Sequence, residues 1–268
     1  MSHLLRGHAP ITPAGWDALD QEARDALRPA LAARKLVDFS GPHGWEHSAT
    51  NLGRITALKA GPVKGVAAAQ RRVLPLVELR AEFSLELAEL RDADRGADDL
   101  DLAGLDEAAR SLALAENVAV FHGYAEGGIT GITQASPHKA IALGNGVVQY
   151  PSRVAKAVAV LRSAGVDGPY GLALSPEGYT GVVETAEHGG VLLLEHLRSI
   201  LGGPIVWAPG VRGAVVLSMR GGDFSFESGE DLSLGYAGHD ADAVRLYLEE
   251  SFSFRVASPE AAVALPAS

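Results

Sequence analysis

Residues 48–87 constrain the fold more than any other part of this chain. They read as two long strands joined by an irregular tip. Ile55 and Ala57 lie on the first limb and Gly61, Pro62 and Val63 near the tip. Val77, Leu79, Ala81, Phe83 and Leu85 then keep one parity along the second limb. Such alternation marks a strand with one buried face. A two-stranded arm has too few apolar side chains to form its own core, so it must lie on something else. Charge sharpens the constraint. Residues 48–75 hold five basic residues (Arg54, Lys59, Lys64, Arg71 and Arg72) and no Asp or Glu, in a chain of net charge −10. Residues 86–107 hold nine acidic residues against Arg91 and Arg95. One-sign stretches are either solvated faces or halves of an electrostatically matched interface.

The rest of the chain reads as mixed α+β. Thr12-Pro13 has the form of an N-cap followed by proline at the first helical position. Trp16, Leu19, Ala23, Leu27 and Leu31 follow at spacings of three and four, one apolar stripe on a helix. Pro29 should kink or end that helix near Arg28. The stripe suits either plain core or an amphipathic face awaiting a partner. Residues 38–45 read as a turn-rich link, and residues 106–124 as a long buried helix closed by Gly123. From Gly131 the pattern alternates; a helix through Val154, Val158 and Leu161 then stops at Gly165. Strand signals follow at 170–174, 205–207, 214–219, 224–226, 232–236 and 243–256. Helical stretches start at Pro176 and span 191–201.

Composition excludes several functions. A length of 268 residues fits one or two domains, and 47% hydrophobic residues exclude a disordered chain. No apolar run reaches the roughly 18 residues of a membrane span, and the N-terminus lacks the apolar segment of a signal peptide. The chain has no cysteine, which removes thiolate nucleophiles and Cys-based metal sites. It has no P-loop, no His-Glu-x-x-His and no Gly-x-Ser-x-Gly. His43 and His47 are four apart, but Gly41, Pro42 and Gly44 argue against a helix that would align them. Arg220-Gly221-Gly222-Asp223 reads as a tight turn rather than a phosphate loop. Asp98, Asp99 and Asp101 lack the spacing of a calcium loop. Residues 48–82 contain no aromatic residue for base stacking, which speaks against nucleic acid.

Seven segments in order carry a resemblance. They are Leu5-Arg6 with Ala9-Pro10, Gly41-Pro42-His43-Gly44-Trp45-Glu46 after Arg34-Lys35-Leu36-Val37-Asp38, Leu74-Pro75-Leu76-Val77-Glu78-Leu79-Arg80, Gly168-Pro169-Tyr170, Arg220-Gly221-Gly222-Asp223-Phe224, residues 229–236 and residues 244–256. Together they resemble the encapsulin shell proteins, the linocin-type bacteriocin family, nearly end to end. The resemblance implies the α+β fold of Hong Kong 97-type phage major capsid proteins. It also implies a closed icosahedral homo-oligomer in the cytoplasm, of about 60 subunits or a multiple. On that fold, residues 1–48 begin the peripheral domain and 49–73 form the extended E-loop arm. Residues 74–130 carry the spine helix, 131–220 form the axial domain and 221–268 return to the peripheral domain.

Family members enclose a cargo enzyme, commonly a dye-decolourising peroxidase or a ferritin-like protein, through its C-terminal targeting peptide. That links such shells to oxidative stress and iron storage. The resemblance places peptide contacts at Leu27, Leu31 and Leu36, with Arg34 and Asp38 as polar anchors. It places a five-fold pore loop at Thr185, Ala186, Glu187, His188, Gly189 and Gly190, where repeated Glu187 would favour cations. Arg54, Lys59, Lys64, Arg71 and Arg72 become an inter-subunit arm, meeting the acidic surface of residues 86–107 on a neighbour. Some relatives hold a flavin against a tryptophan just after the arm. Here Ala88 occupies that stretch, so no cofactor is expected. No catalytic site, metal, membrane or nucleic-acid partner is expected either. Two other readings stand beside this one. A phage capsid protein shares the fold but packages DNA, which an acidic chain suits poorly. A soluble hydrolase or peptidase needs a catalytic constellation that no motif supplies.

Overall fold

The first helix starts where the sequence places it. In a computed structural model, which describes residues 3–186 and 192–267, α1 spans Pro13–Ala30. Thr12 Oγ1 accepts from Gly15 N at 3.1 Å, and Pro13 supplies the first helical residue. The helix runs two residues past Arg28 before ending. Pro29 falls in the last turn, where its missing N–H removes a single hydrogen bond, and Lys35 Nζ caps the Pro29 carbonyl at 3.0 Å.

Next come β1 (Asp38–Ser40), β2 (Ala49–Ala57), β3 (Ala69–Pro75), β4 (Val77–Glu86), α2 (Leu87–Asp94) and α3 (Ala103–His122). They are followed by α4 (Ile132–Ala135), α5 (Tyr150–Ser163), β5 (Tyr170–Leu174), α6 (Pro176–Glu184) and α7 (Leu193–Leu201). Last are β6 (Gly202–Trp207), β7 (Ala214–Ser218), β8 (Phe224–Ser228), β9 (Ser233–His239), β10 (Ala243–Val256) and β11 (Ala262–Leu265).

The closing strand, β10, holds the largest sheet together. It pairs antiparallel with β4 over its first ten residues, with β9 along its other side and then with β8, which pairs parallel with β1. The α1 and α3 helices cover this sheet. Trp16, Leu19, Leu27, Leu105, Leu112 and Leu246 form the core between them. A second core lies between α5, α7 and a sheet ordered β11-β7-β5-β6, through Leu161, Leu172, Leu197 and Val216. The β2–β3 arm is a sheet of two strands that, among the described residues, pair only with each other. Its charged side chains are exposed, as are Ile55, Leu58, Val63, Val66 and Val73.

Four local readings need correction. Residues after Gly131 form α4 and then irregular chain rather than strands, because Pro137, Gly144 and Gly146 interrupt any ladder. The acidic stretch hides α2, whose Leu87 and Leu90 are buried at helical spacing. The link after Val37 contains β1, held parallel to β8. The last strand, β11, joins the smaller sheet through β7, not the large one.

Candidate functional site

Directly after α1 the chain makes a 3-10 turn, Ala33–Lys35, that sets Arg34 among three carboxylates. Arg34 Nε donates to Glu116 Oε2 at 2.7 Å, Nη1 to Asp231 Oδ1 at 2.6 Å and Nη2 to Glu250 Oε2 at 2.8 Å. The guanidinium lies over the Phe39 and Phe226 rings, 5.1 and 5.2 Å from their centroids. Burial alone would lower the Arg34 pKa, but Glu116, Glu250 and Asp231 raise it further above its ordinary value. Glu250 is pushed well up by burial and by the charge of Glu116, which outweigh Arg34. Burial also raises Glu116 against the pull of Arg34. Beside them Asn117 accepts from the Ala32 and Ala33 backbone at 3.1 and 3.0 Å and donates to the Ala30 carbonyl at 2.8 Å. The turn is therefore fixed by α3 from below.

A groove of about 670 Å³ opens beside this cluster, between α1 and β9. Leu27 and Leu31 form one wall, Leu232, Leu234 and Leu248 the floor, and Leu4 and Arg6 the rim. Arg6 is held there by Asp20 at 2.8 Å and stacks over Trp16 at 4.0 Å. Leu27, Leu31 and Arg34 thus border one cleft. Leu36 and Asp38 do not: the 3-10 turn sends Leu36 into the second core, and Asp38 Oδ2 accepts from Gly222 N at 2.6 Å. Arg34 is mostly buried, and three of its five N–H donors engage carboxylates, which fixes Asp231 and the turn at the edge of the groove. Sequence reasoning missed Glu116, Asp231, Glu250 and the groove leucines Leu232, Leu234 and Leu248. The alternation at 232–236 signalled a strand, but nothing in it signalled contact with α1.

Of the pore-loop residues, Thr185 and Ala186 are described. The Thr185 carbonyl accepts from Leu193 N at 3.0 Å, and Ala186 bridges to Leu192. Glu187, His188, Gly189 and Gly190 lie outside the described residues. Arg54, Lys59, Lys64, Arg71 and Arg72 are all exposed on the arm and make no ion pair among the described residues. The His43 and His47 rings approach to 4.9 Å without a helix, because the turn itself folds them together. His43 bonds Ser40 and His47 bonds Glu227, and no group able to hold a metal occurs among the described residues. Arg220 and Asp223 close their turn with two bonds of 2.9 Å.

A large sheet with a long helix across it, a second helix–sheet layer and a projecting two-stranded arm together define a capsid-type fold. Solved structures agree on the fold. A virus-like particle from Pyrococcus furiosus matches with a TM-score of 0.67 at 20% identity, covering 93% of this chain and 98% of that one. The capsid of an empty GTA particle matches with a TM-score of 0.53 at 16% identity, covering 89% of this chain and 90% of that one.

Sequence comparison is more specific. The family described as "encapsulating protein for peroxidase" matches residues 1–253. A type 1 encapsulin shell protein of Rhodospirillum rubrum is 48% identical, covering 99% of this chain and 96% of that protein. Another, of Mycolicibacterium paratuberculosis, is 44% identical over 99% of each. The chain belongs to the type 1 encapsulin shell proteins. Both relatives are named as shell proteins. Among the described residues, no helix is long and apolar enough to cross a membrane.

Proposed function

We propose that this shell encloses an enzyme, a dye-decolourising peroxidase or a ferritin-like protein, captured by its C-terminal targeting peptide in the groove beside α1. The observation that carries this reading is the leucine-lined cleft itself. It gives the apolar stripe of α1 a face onto solvent, through Leu31, that the subunit's own packing leaves partly open. A short peptide with two or three apolar anchors fits a cleft of this size and lining. The family's description, which names a peroxidase, supports the cargo class. In this reading about 60 copies, or a multiple, close an icosahedral shell in the cytoplasm. Residues 1–48, 74–130 and 221–256 act as the peripheral domain, 131–220 together with β11 as the axial domain, and 49–73 as the arm that reaches a neighbour.

The test is Leu31→Asp in shells co-expressed with a fluorescent protein ending in the targeting peptide. A charge facing an apolar anchor should cut cargo per shell by about ten-fold or more while the shells still form. Undiminished cargo in intact L31D shells would overturn the groove assignment.

A further inference from the structure

We propose that the arm seats its Arg54–Arg72 pair in the groove between β4 and α3 of a second copy, against Glu82 and Glu107. This rests on the shell reading above and gives the arm a chemically defined seat.

The arm states what it lacks. In the β2–β3 register Arg54 stands directly opposite Arg72, so the two guanidinium side chains share one face. Like charges in directly opposed positions destabilise a strand pair. Within residues 48–75 there is no Asp or Glu to offset them, and neither arginine makes an ion pair among the described residues. On the other face Ile55, 67% exposed, stands opposite Arg71. Two unpaired arginines on one face of a two-stranded sheet need an acidic partner, and Ile55 on the opposite face takes no part in that contact.

The same molecule carries one such surface. A groove of about 360 Å³ runs between β4 and α3, floored by Ala81, Phe83, Gly104 and Ala108, with Glu82 and Glu107 beside them. Both glutamates are exposed and neither makes an ion pair among the described residues. Gly104 brings α3 close to the strand: a Cβ there would sit 3.0 Å from the Ser84 carbonyl oxygen. Moreover, β4 is the terminal strand of its sheet order, so its outer edge has no strand partner among the described residues. Glu86, Asp98, Asp99 and Asp101 are also exposed nearby in sequence and extend the negative field. Two carboxylates thus await two arginines, and the apolar floor between them can take the methylene stems of those arginines. Complementary potentials of this kind select the partner and set the register of docking. A nucleic acid would also neutralise the arginines, but the arm strands β2 and β3 carry no aromatic ring on which a base would stack.

Charge exchange tests the pairing in the full chain, with assembly read by gel filtration and negative-stain microscopy. Wild-type protein must form shells in this assay; if it does not, the shell reading fails, independently of the seat. R54E/R72E and E82R/E107R should each lower shell yield by about ten-fold or more, with the circular dichroism of the subunit unchanged. Combining all four substitutions should restore yield to within about two-fold of wild type. Wild-type yield from either double variant, or no recovery in the folded quadruple variant, overturns the seat. If a charge variant fails to fold, R72C/E107C decides the matter, since the chain has no other cysteine. Oxidised shells should then run as covalent ladders, and their absence overturns the seat. Shells that dissolve under nuclease would overturn it too, assigning the arm to nucleic acid.

Discussion

Arg34 sets one positive charge against Glu116, Asp231 and Glu250, and two of those carboxylates are almost fully buried. Such a cluster is stable only if the excess negative charge is neutralised, and the cheapest route is a retained proton. Burial, then Glu116, hold the Glu250 pKa well above its ordinary value of 4.5, and Glu116 shifts in the same direction. A carboxyl with a raised folded-state pKa adds stability that is complete below its unfolded value. That stability is lost as pH climbs through the folded value. Glu250→Gln fixes the site in its neutral form. The stability advantage of wild type over E250Q should therefore shrink as pH rises above the ordinary carboxyl value of 4.5, read as the difference in urea midpoint by tryptophan fluorescence. A difference that grows with pH, or stays flat, contradicts the buried proton. None of this cluster was legible in the sequence. The partners of Arg34 lie 82, 197 and 216 residues along the chain, and no local pattern links such distances. The resemblance named Arg34 as an anchor for a peptide; in the structure it borders the groove and holds three carboxylates of its own subunit.

At the scale of elements, β9 and β10 depend on one close approach. Gly235 faces Tyr247 across the ladder, and a Cβ on Gly235 would fall within the Tyr247 ring. That ring in turn supports Arg80, whose guanidinium lies 3.9 Å from its centroid while bonding Glu249 at 2.6 Å. Gly235→Ala must push Tyr247 aside and with it the Arg80 stack, at a cost of about 1–3 kcal/mol. Thermal unfolding should show a lowered midpoint, and an unchanged midpoint would mean that Tyr247 relaxes freely. Elements whose periodicity was long and uniform were legible: β10 appears at 243–256 as read, and α3 differs from its expected span by only a few residues. Elements that depend on distant partners were not. Three residues of β1 exist because β8 lies alongside, and β11 because β7 does. In α2 the charges masked a two-leucine buried face too short to show a period. The α1 groove was half legible. The stripe through Leu27 and Leu31 was plain, while its opposite wall came from β9, some two hundred residues later in the chain.

For the whole molecule, net charge and local charge pull in opposite directions. Each chain carries −10, so a shell of about 60 copies would total about −600, spread over a closed surface. Contacts such as the proposed arginine–glutamate pairs act over a few ångströms, well inside the screening length at any ordinary ionic strength. Lowering the salt changes them little. The repulsion between whole subunits acts over tens of ångströms, and it is screened at about 0.15 M, where the Debye length is about 8 Å, but not at about 0.01 M, where it is about 30 Å. Dilution of salt therefore strengthens the long-range term alone. Shells moved from about 0.15 M to a few millimolar salt should swell or release subunits, seen as a changed hydrodynamic radius in dynamic light scattering, and should recover when salt is restored. Light scattering that stays constant across that range would mean that the apolar contacts of the arm and the helix–sheet layers, not charge balance, set the stability of the shell.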